Sequence, residues 1–148
     1  MRDSKTLSEK QRVKLAEKLK EVLPAYSIGL ASAAEIDKIG IRKATHLAML
    51  RAYWRLSLIP DVLLMDGEKA TIPIFSKTFQ YDHGDLKHYS IAAASIIAKV
   101  YRDEYMKKLE EQLPGYGFDK HKGYGTKLHY KSLSKLGVSN IHRKTFLH

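Results

Sequence analysis

Ser90 to Asp103, SIAAASIIAKVYRD, is the segment that most narrows the folds open to this chain. It is a strong helix former, and Ala92, Ala93, Ala94 and Ala98 let its backbone lie close to whatever it packs on. Asp61–Gly67, DVLLMDG, adds a second constraint. Its four consecutive apolar residues, Val62 to Met65, do not alternate, which is the pattern of a parallel strand covered on both faces. Such a strand needs helices over it, and the flanking sequence supplies them. Ser8-Glu9-Lys10-Gln11 reads as a capping box opening a helix that runs to about Val22, with Pro24 closing it. Ser32-Ala33-Ala34-Glu35 is a second capping box, before a short helical turn that Gly40 interrupts. Ile41 to about Leu58 reads as a longer helix. Ser90 to about Leu113 is the long helix, ended by Pro114-Gly115. Gly115–Gly125 is a loop rich in Gly, and Thr126 caps a last helix that Gly137 ends. Tyr26–Ala31 is a candidate strand, and Ile72–Tyr81 a less regular extended segment that Pro73 places at an edge. Strands alternating with helices predict one α/β domain over residues 1–148.

Charge narrows the function classes. The chain carries 26 Lys and Arg against 16 Asp and Glu, a net charge of +10. Residues 1–60 have a net charge of +6, residues 61–111 of −2 and residues 112–148 of +6. A locally acidic middle between basic flanks suits a polyanion-binding protein with a cation-binding centre. A merely basic, solvated surface has the same balance. There is no Cys, which excludes disulfides and thiolate metal sites and fits a cytoplasmic protein. No apolar run is long enough to span a bilayer, so no membrane partner is expected.

Two acids stand out, each with two readings. Asp66 lies at the carboxyl end of the expected strand, where ligands gather in open α/β sheets. Asp66-Gly67 is also an ordinary turn pair. Asp103 can converge from the Ala-rich helix on Asp66, giving the paired carboxylates that Mg²⁺ or Mn²⁺ takes from a protein. It can equally form an i,i+4 ion pair with Lys99 or Lys107. The loop Lys120-His121-Lys122-Gly123-Tyr124-Gly125 combines cations that can neutralise phosphates with a ring that can stack on a sugar or base. A solvated basic turn has the same composition. The seven His residues make no metal-binding spacing, and there is no Walker-type loop or GxSxG elbow.

Several of these stretches, in order, resemble the ribonuclease HII family. They are DSKTLS at 3–8, ASAAEIDKIGIRKATHLAM at 31–49, PDVLLMDG at 60–67 and GD at 84–85. SIAAASIIAKVYRD at 90–103, PGYGFDKHKGYGT at 114–126 and IHRKTF at 141–146 follow. The resemblance implies a ribonuclease H-like mixed sheet flanked by helices. It implies endonucleolytic hydrolysis, with Mg²⁺ or Mn²⁺ and four acids, of RNA in RNA–DNA hybrids and at ribonucleotides embedded in DNA. Asp66 matches the acid of the DG motif and Asp103 that of the AKVxRD motif, which makes both expected catalytic and metal residues. Tyr124 matches the Tyr at the RNA–DNA junction. Ser4 and Lys5 fall in DSKxLS beside the substrate backbone, with Lys5 as a phosphate contact.

The departures carry their own expectations. The DEAGRG-type motif, with two further acids and the residues that read the ribose 2′-hydroxyl, does not occur in this sequence. Its strands, including the central one, are expected to be missing from the sheet. His83 stands where the family usually has Lys, and Leu86 where a small residue is common. Two functions are therefore expected: a monomeric metal-dependent endoribonuclease, or a nucleic-acid binder that has lost cleavage along with half of its metal site.

Overall fold

The computed structural model describes residues 7–67 and 76–147. The architecture is α/β and rich in helix. Helices α1 (Glu9–Val22), α2 (Ala33–Ile39) and α3 (Ile41–Arg55) precede strands β1 (Val62–Asp66) and β2 (Lys77–Tyr81). Then come α4 (Gly84–Lys87), α5 (Tyr89–Gln112), α6 (Phe118–His121), α7 (Lys127–Leu136) and a 3-10 turn at Lys144–Phe146. Among the described residues the sheet has two strands, parallel, with Val62 opposite Lys77 and Asp66 opposite Tyr81.

Local chemistry sets the helix ends. Both expected capping boxes form: Ser8 and Gln11 bond reciprocally at α1, and Ser32 and Glu35 at α2. Thr126 caps α7 through the His129 amide, and Gly137 closes it at φ 78°. Arg51 grips Glu35 with both terminal nitrogens, at 2.6 and 3.0 Å, and its guanidinium with the Ser32 backbone holds the Glu35 carboxyl down at about 2. The Asp37 carboxylate accepts the Lys144 and Thr145 amides and the Thr145 hydroxyl. That joins α2 to the C-terminal turn.

Helix α5 is the axis of the molecule, about 36 Å long at 1.5 Å per residue. Its first turns meet the sheet through buried Ile91, Ala92 and Ala93, while Ala94 and Ala98 are exposed. Its middle, at Ile96 and Val100, is covered by α1 through Ala16, Val13 and Leu19. Its end, at Met106 and Leu109, packs with Tyr116 and Phe118, and Leu133 and Ile141 lie against them.

Two expectations need correction. Tyr26–Ala31 forms no ladder among the described residues, and α3 instead meets it through one hydroxyl and two carbonyls. Ser27 Oγ donates to the Ala52 carbonyl, while Arg55 and Arg51 donate to Ile28 O at 3.0 Å and Leu30 O at 2.7 Å. Nor is β1 covered on both faces among the described residues. Met65 is buried, but Val62 is 46% exposed. Of the extended segment expected over Ile72–Tyr81, residues 72–75 lie outside the described residues, and the rest contains β2.

Candidate functional site

Asp66 ends β1 with its side chain exposed. Its Oδ1 accepts the Gly84 N–H at 2.8 Å. Gly84 is reached through His83, whose left-handed backbone (φ 53°, ψ 45°) turns the chain sharply after β2. No larger residue fits there unaltered: a Cβ on Gly84 would lie 2.6 Å from Ile91 Cδ1 and 3.5 Å from Asp66 Oδ1. Asp85 follows directly in the first turn of α4, half-buried. Strand β1, α4 and the start of α5 therefore gather at one point, and Asp85 is the acid next in sequence to the Gly84 amide that Asp66 accepts. Among the described residues neither acid lies within 4 Å of a basic nitrogen. They offer hard oxygen donors that suit Mg²⁺ or Mn²⁺. Among the described residues no three His, Asp or Glu side chains cluster for a metal.

The expected pair of Asp66 with Asp103 is not formed. Ile91 touches the Asp66 corner, and Asp103 lies about 18 Å further along the α5 axis at 1.5 Å per residue. Carboxylates on one divalent ion must each come within about 2–2.6 Å of it. Asp103 instead takes the ion pair foreseen as its alternative, with Lys99 Nζ at 2.7 Å, and is only 7% exposed. Asp85 is not singled out by the sequence reading, which rests on the Ala-rich helix. The signal was present, since Gly84-Asp85 is one of the stretches that carry the resemblance.

The loop between α5 and α7 is built on Glu110. Its carboxylate accepts the amides of Gly115 at 2.7 Å, Gly117 at 2.8 Å and Phe118 at 2.9 Å. Glu110→Ala leaves three N–H groups without this acceptor and is expected to cost about 2 kcal/mol, the scale of hydrogen bonds to a charged group. A urea melt checks this, and an unchanged midpoint would show that the loop is held elsewhere.

The loop residues separate in the structure. Tyr124 is 68% exposed and Lys120 is exposed, as a nucleic-acid contact requires. His121 is not available as a phosphate contact. It is 7% exposed, its Nε2 bonds to the Tyr116 carbonyl at 2.8 Å, and its Nδ1 accepts the Gly123 amide at 3.1 Å. Lys122, half-buried, turns its ammonium back to the Asp119 carbonyl. Ser4 and Lys5 lie outside the described residues. Two cations not singled out from sequence approach the same loop. Arg102 donates to Lys122 O and Arg143 to Gly123 O, each at 3.4 Å. Burial, and then the charge of Arg143, hold the Arg102 guanidinium below its ordinary value. Both Arg lie inside quoted motifs, but only the fold shows them converging.

Residues 1–148 match the family described as ribonuclease HII. The chain is 49% identical over 144 residues to ribonuclease HII of Staphylococcus epidermidis, covering 97% of this chain and 56% of that protein. It is 48% identical over 145 residues to ribonuclease HII of Thermus thermophilus, covering 98% of this chain and 70% of that protein. It thus spans just over half the length of the first relative. Among solved structures it is similar in fold to ribonuclease H2 from Pyrococcus horikoshii, with a TM-score of 0.79 and 24% identity. That match covers 97% of this chain and 75% of the other.

Proposed function

From the premise that this chain belongs to the ribonuclease HII family, we propose that it is a divalent-metal-dependent endoribonuclease. Its substrates are RNA in RNA–DNA hybrids and ribonucleotides embedded in DNA. The observation that carries this reading is Asp66, exposed at the end of β1 and tied by one oxygen to Gly84 beside Asp85. Asp66 and Asp85 are the residues to hold Mg²⁺ or Mn²⁺. The ion, when bound, supplies a Lewis acid and an activated water for attack on the phosphodiester.

The chain's own residues do the rest. The Gly84 amide fixes one Asp66 oxygen and leaves the other free. Tyr124 offers its ring to a sugar, and Lys120 lies exposed for a phosphate. Lys5 and Ser4, in the DSKTLS stretch, are proposed backbone contacts on the strength of the family resemblance alone. With a net charge of +10, the binding constant should fall with log salt at a slope of about −0.9 per phosphate neutralised on B-DNA.

A second reading, hybrid binding without cleavage, is favoured by one observation: no three metal-capable side chains cluster among the described residues. One experiment separates the two. The purified chain is incubated with a labelled duplex carrying a single ribonucleotide, with Mg²⁺, Mn²⁺ or EDTA, and its binding is followed across salt. Cutting at the ribonucleotide that EDTA abolishes supports the enzyme. Salt-sensitive binding with no cutting in either metal supports the binder, and the absence of both removes the nucleic-acid reading altogether.

A further inference from the structure

The loop that carries Tyr124 rests on three buried imidazoles. His121 of α6, His129 of α7 and His142 of the C-terminal segment are 7%, 6% and 5% exposed. The His121 and His129 rings stack with centroids 4.3 Å apart, and those of His129 and His142 are 5.4 Å apart.

Hydrogen bonds decide which nitrogen of each ring holds the proton. The Gly123 amide donates to His121 Nδ1 at 3.1 Å, so His121 carries its proton on Nε2 and gives it to the Tyr116 carbonyl. His129 Nδ1 lies 3.0 Å from the Tyr124 carbonyl and can meet it only as a donor. Its Nε2 is then a bare lone pair. The Ser139 amide donates to His142 Nδ1 at 3.1 Å, so His142 carries its proton on Nε2.

Among the described residues the Nε2 atoms of His129 and His142 are buried with no hydrogen-bond partner. Both rings line one cavity of about 270 Å³. One of these atoms is an acceptor and the other a donor, so they complement each other. A cation does not suit the pair, because His142 presents an N–H rather than a lone pair.

We propose that His129, backed by His142, is a positioning residue whose Nδ1–H holds the Tyr124 carbonyl and thereby sets where the exposed phenol meets the duplex. This role rests on the reading of Tyr124 as a duplex contact. The other backbone bonds of Tyr124 itself are its amide to His121 O at 2.9 Å and its carbonyl from the Thr126 amide at 2.8 Å. His129 is the one side chain among the described residues that grips the Tyr124 carbonyl from another element.

Burial favours neutral rings here, while the Nδ1–H bond to Tyr124 by itself favours the charged one. Burial first, and then neighbouring positive charge or imidazole, hold both His129 and His142 below the ordinary value of 6.5. The groups that face them are His121, Tyr116, Tyr130 and Arg143, with Arg102 and Tyr105 on the same cavity. A proton on His129 Nε2 would leave the Nδ1–H bond to Tyr124 in place and put a charged N–H in a buried position with no partner among the described residues. Because the folded values lie below 6.5, the unfolded chain takes up protons first on acidification. The stability contributed by burying these rings in neutral form is therefore complete above about pH 6.5 and is lost as the pH falls through the lowered values.

Imidazole nitrogen shifts and amide hydrogen exchange of the full chain test the proposal. His129 is expected as the Nδ1–H tautomer and His142 as Nε2–H. His129→Leu is expected to speed exchange of the Tyr124 and Thr126 amides by about tenfold or more, with β1 and the middle of α5 changed by less than about twofold. His129→Asn places an amide nitrogen where Nδ1 stood and is expected to restore the protection. An Nε2–H tautomer at His129, unaltered exchange in the Leu variant, or an Asn variant no better than Leu overturns the brace. Should the Leu variant not fold, the parent tautomers and the Asn variant still decide. Affinity in EDTA for a duplex with one ribonucleotide, against the all-DNA duplex, tests the other half. The Leu variant should lose most of any preference. Equal affinity of the parent for both duplexes overturns the role of Tyr124 and leaves the brace standing.

Discussion

Gly29→Ala is expected to lower the melting temperature by roughly 10 °C, since Gly29 is the glycine whose added Cβ would meet the closest contact. A Cβ at Gly29 would lie 1.9 Å from the Ala48 carbonyl oxygen and 2.5 Å from the Ala52 nitrogen. Both are backbone atoms of α3, so no rotamer change relieves the clash. The extended segment 26–31 must move away from α3 as a unit. It then loses the Ser27 bond to Ala52 and those of Arg51 and Arg55 to Leu30 and Ile28. Overpacking a rigid site costs about 3 kcal/mol at the upper end of its usual range. At about 2–4 °C per kcal/mol for a domain near 150 residues, that is the shift stated. Thermal unfolding followed by circular dichroism checks it. A variant melting within about 2 °C of the parent would mean that the close approach of this segment to α3 is wrong.

Asp66→Asn is expected to reduce metal-dependent cleavage by about 100-fold or more, the scale on which single stabilising groups act at transition states. The amide keeps an oxygen for the Gly84 N–H, so the fold at the end of β1 is preserved. What is lost is the negative charge that a divalent ion requires. Mn²⁺ affinity, read by titration without nucleic acid, should fall in parallel, while duplex binding in EDTA stays within about twofold because the phosphate contacts lie elsewhere. Asp85→Asn should behave in the same way. Asp103→Asn should not: it removes a buried partner of Lys99 on α5, so it should lower stability and leave Mn²⁺ affinity near that of the parent. If Asp103→Asn lost the metal as fully as Asp66→Asn, the pairing of Asp66 with Asp85 would have to be abandoned.

The contrast between these acids shows where sequence reasoning succeeded and where it stopped. Ser8, Ser32 and Thr126 were readable as helix starts because a cap bonds an amide three residues away, and Gly137 as a stop because its positive φ closes the last turn. Asp66 at the end of β1 was readable for a similar reason, since an apolar run followed by Asp-Gly marks a strand and its exit. Asp103 and His121 each carried two readings from sequence, and in the structure both are buried, with Lys99 and the Tyr116 carbonyl as partners. Their partners are near in sequence, Lys99 four residues from Asp103 and Tyr116 five from His121, but which of several local partners each takes is set by burial, which composition does not show. Tyr26–Ala31 carries a strand-like composition, but composition cannot say that arginines of α3 will occupy the carbonyls a neighbouring strand would have used.

By itself, then, the sequence determined the family, the helix limits and the strand that presents Asp66, because these follow from contacts within a few residues and from long matching motifs. The tertiary structure alone decided three things. Gly84 donates its amide to Asp66, Asp103 is buried on α5 rather than placed at the Asp66 corner, and three imidazoles are buried together behind the loop that carries Tyr124. The physical reason is common to all three. A helix of 24 residues carries its two ends about 36 Å apart, so residues of one motif serve different corners of the molecule, and only packing shows which corner each one reaches.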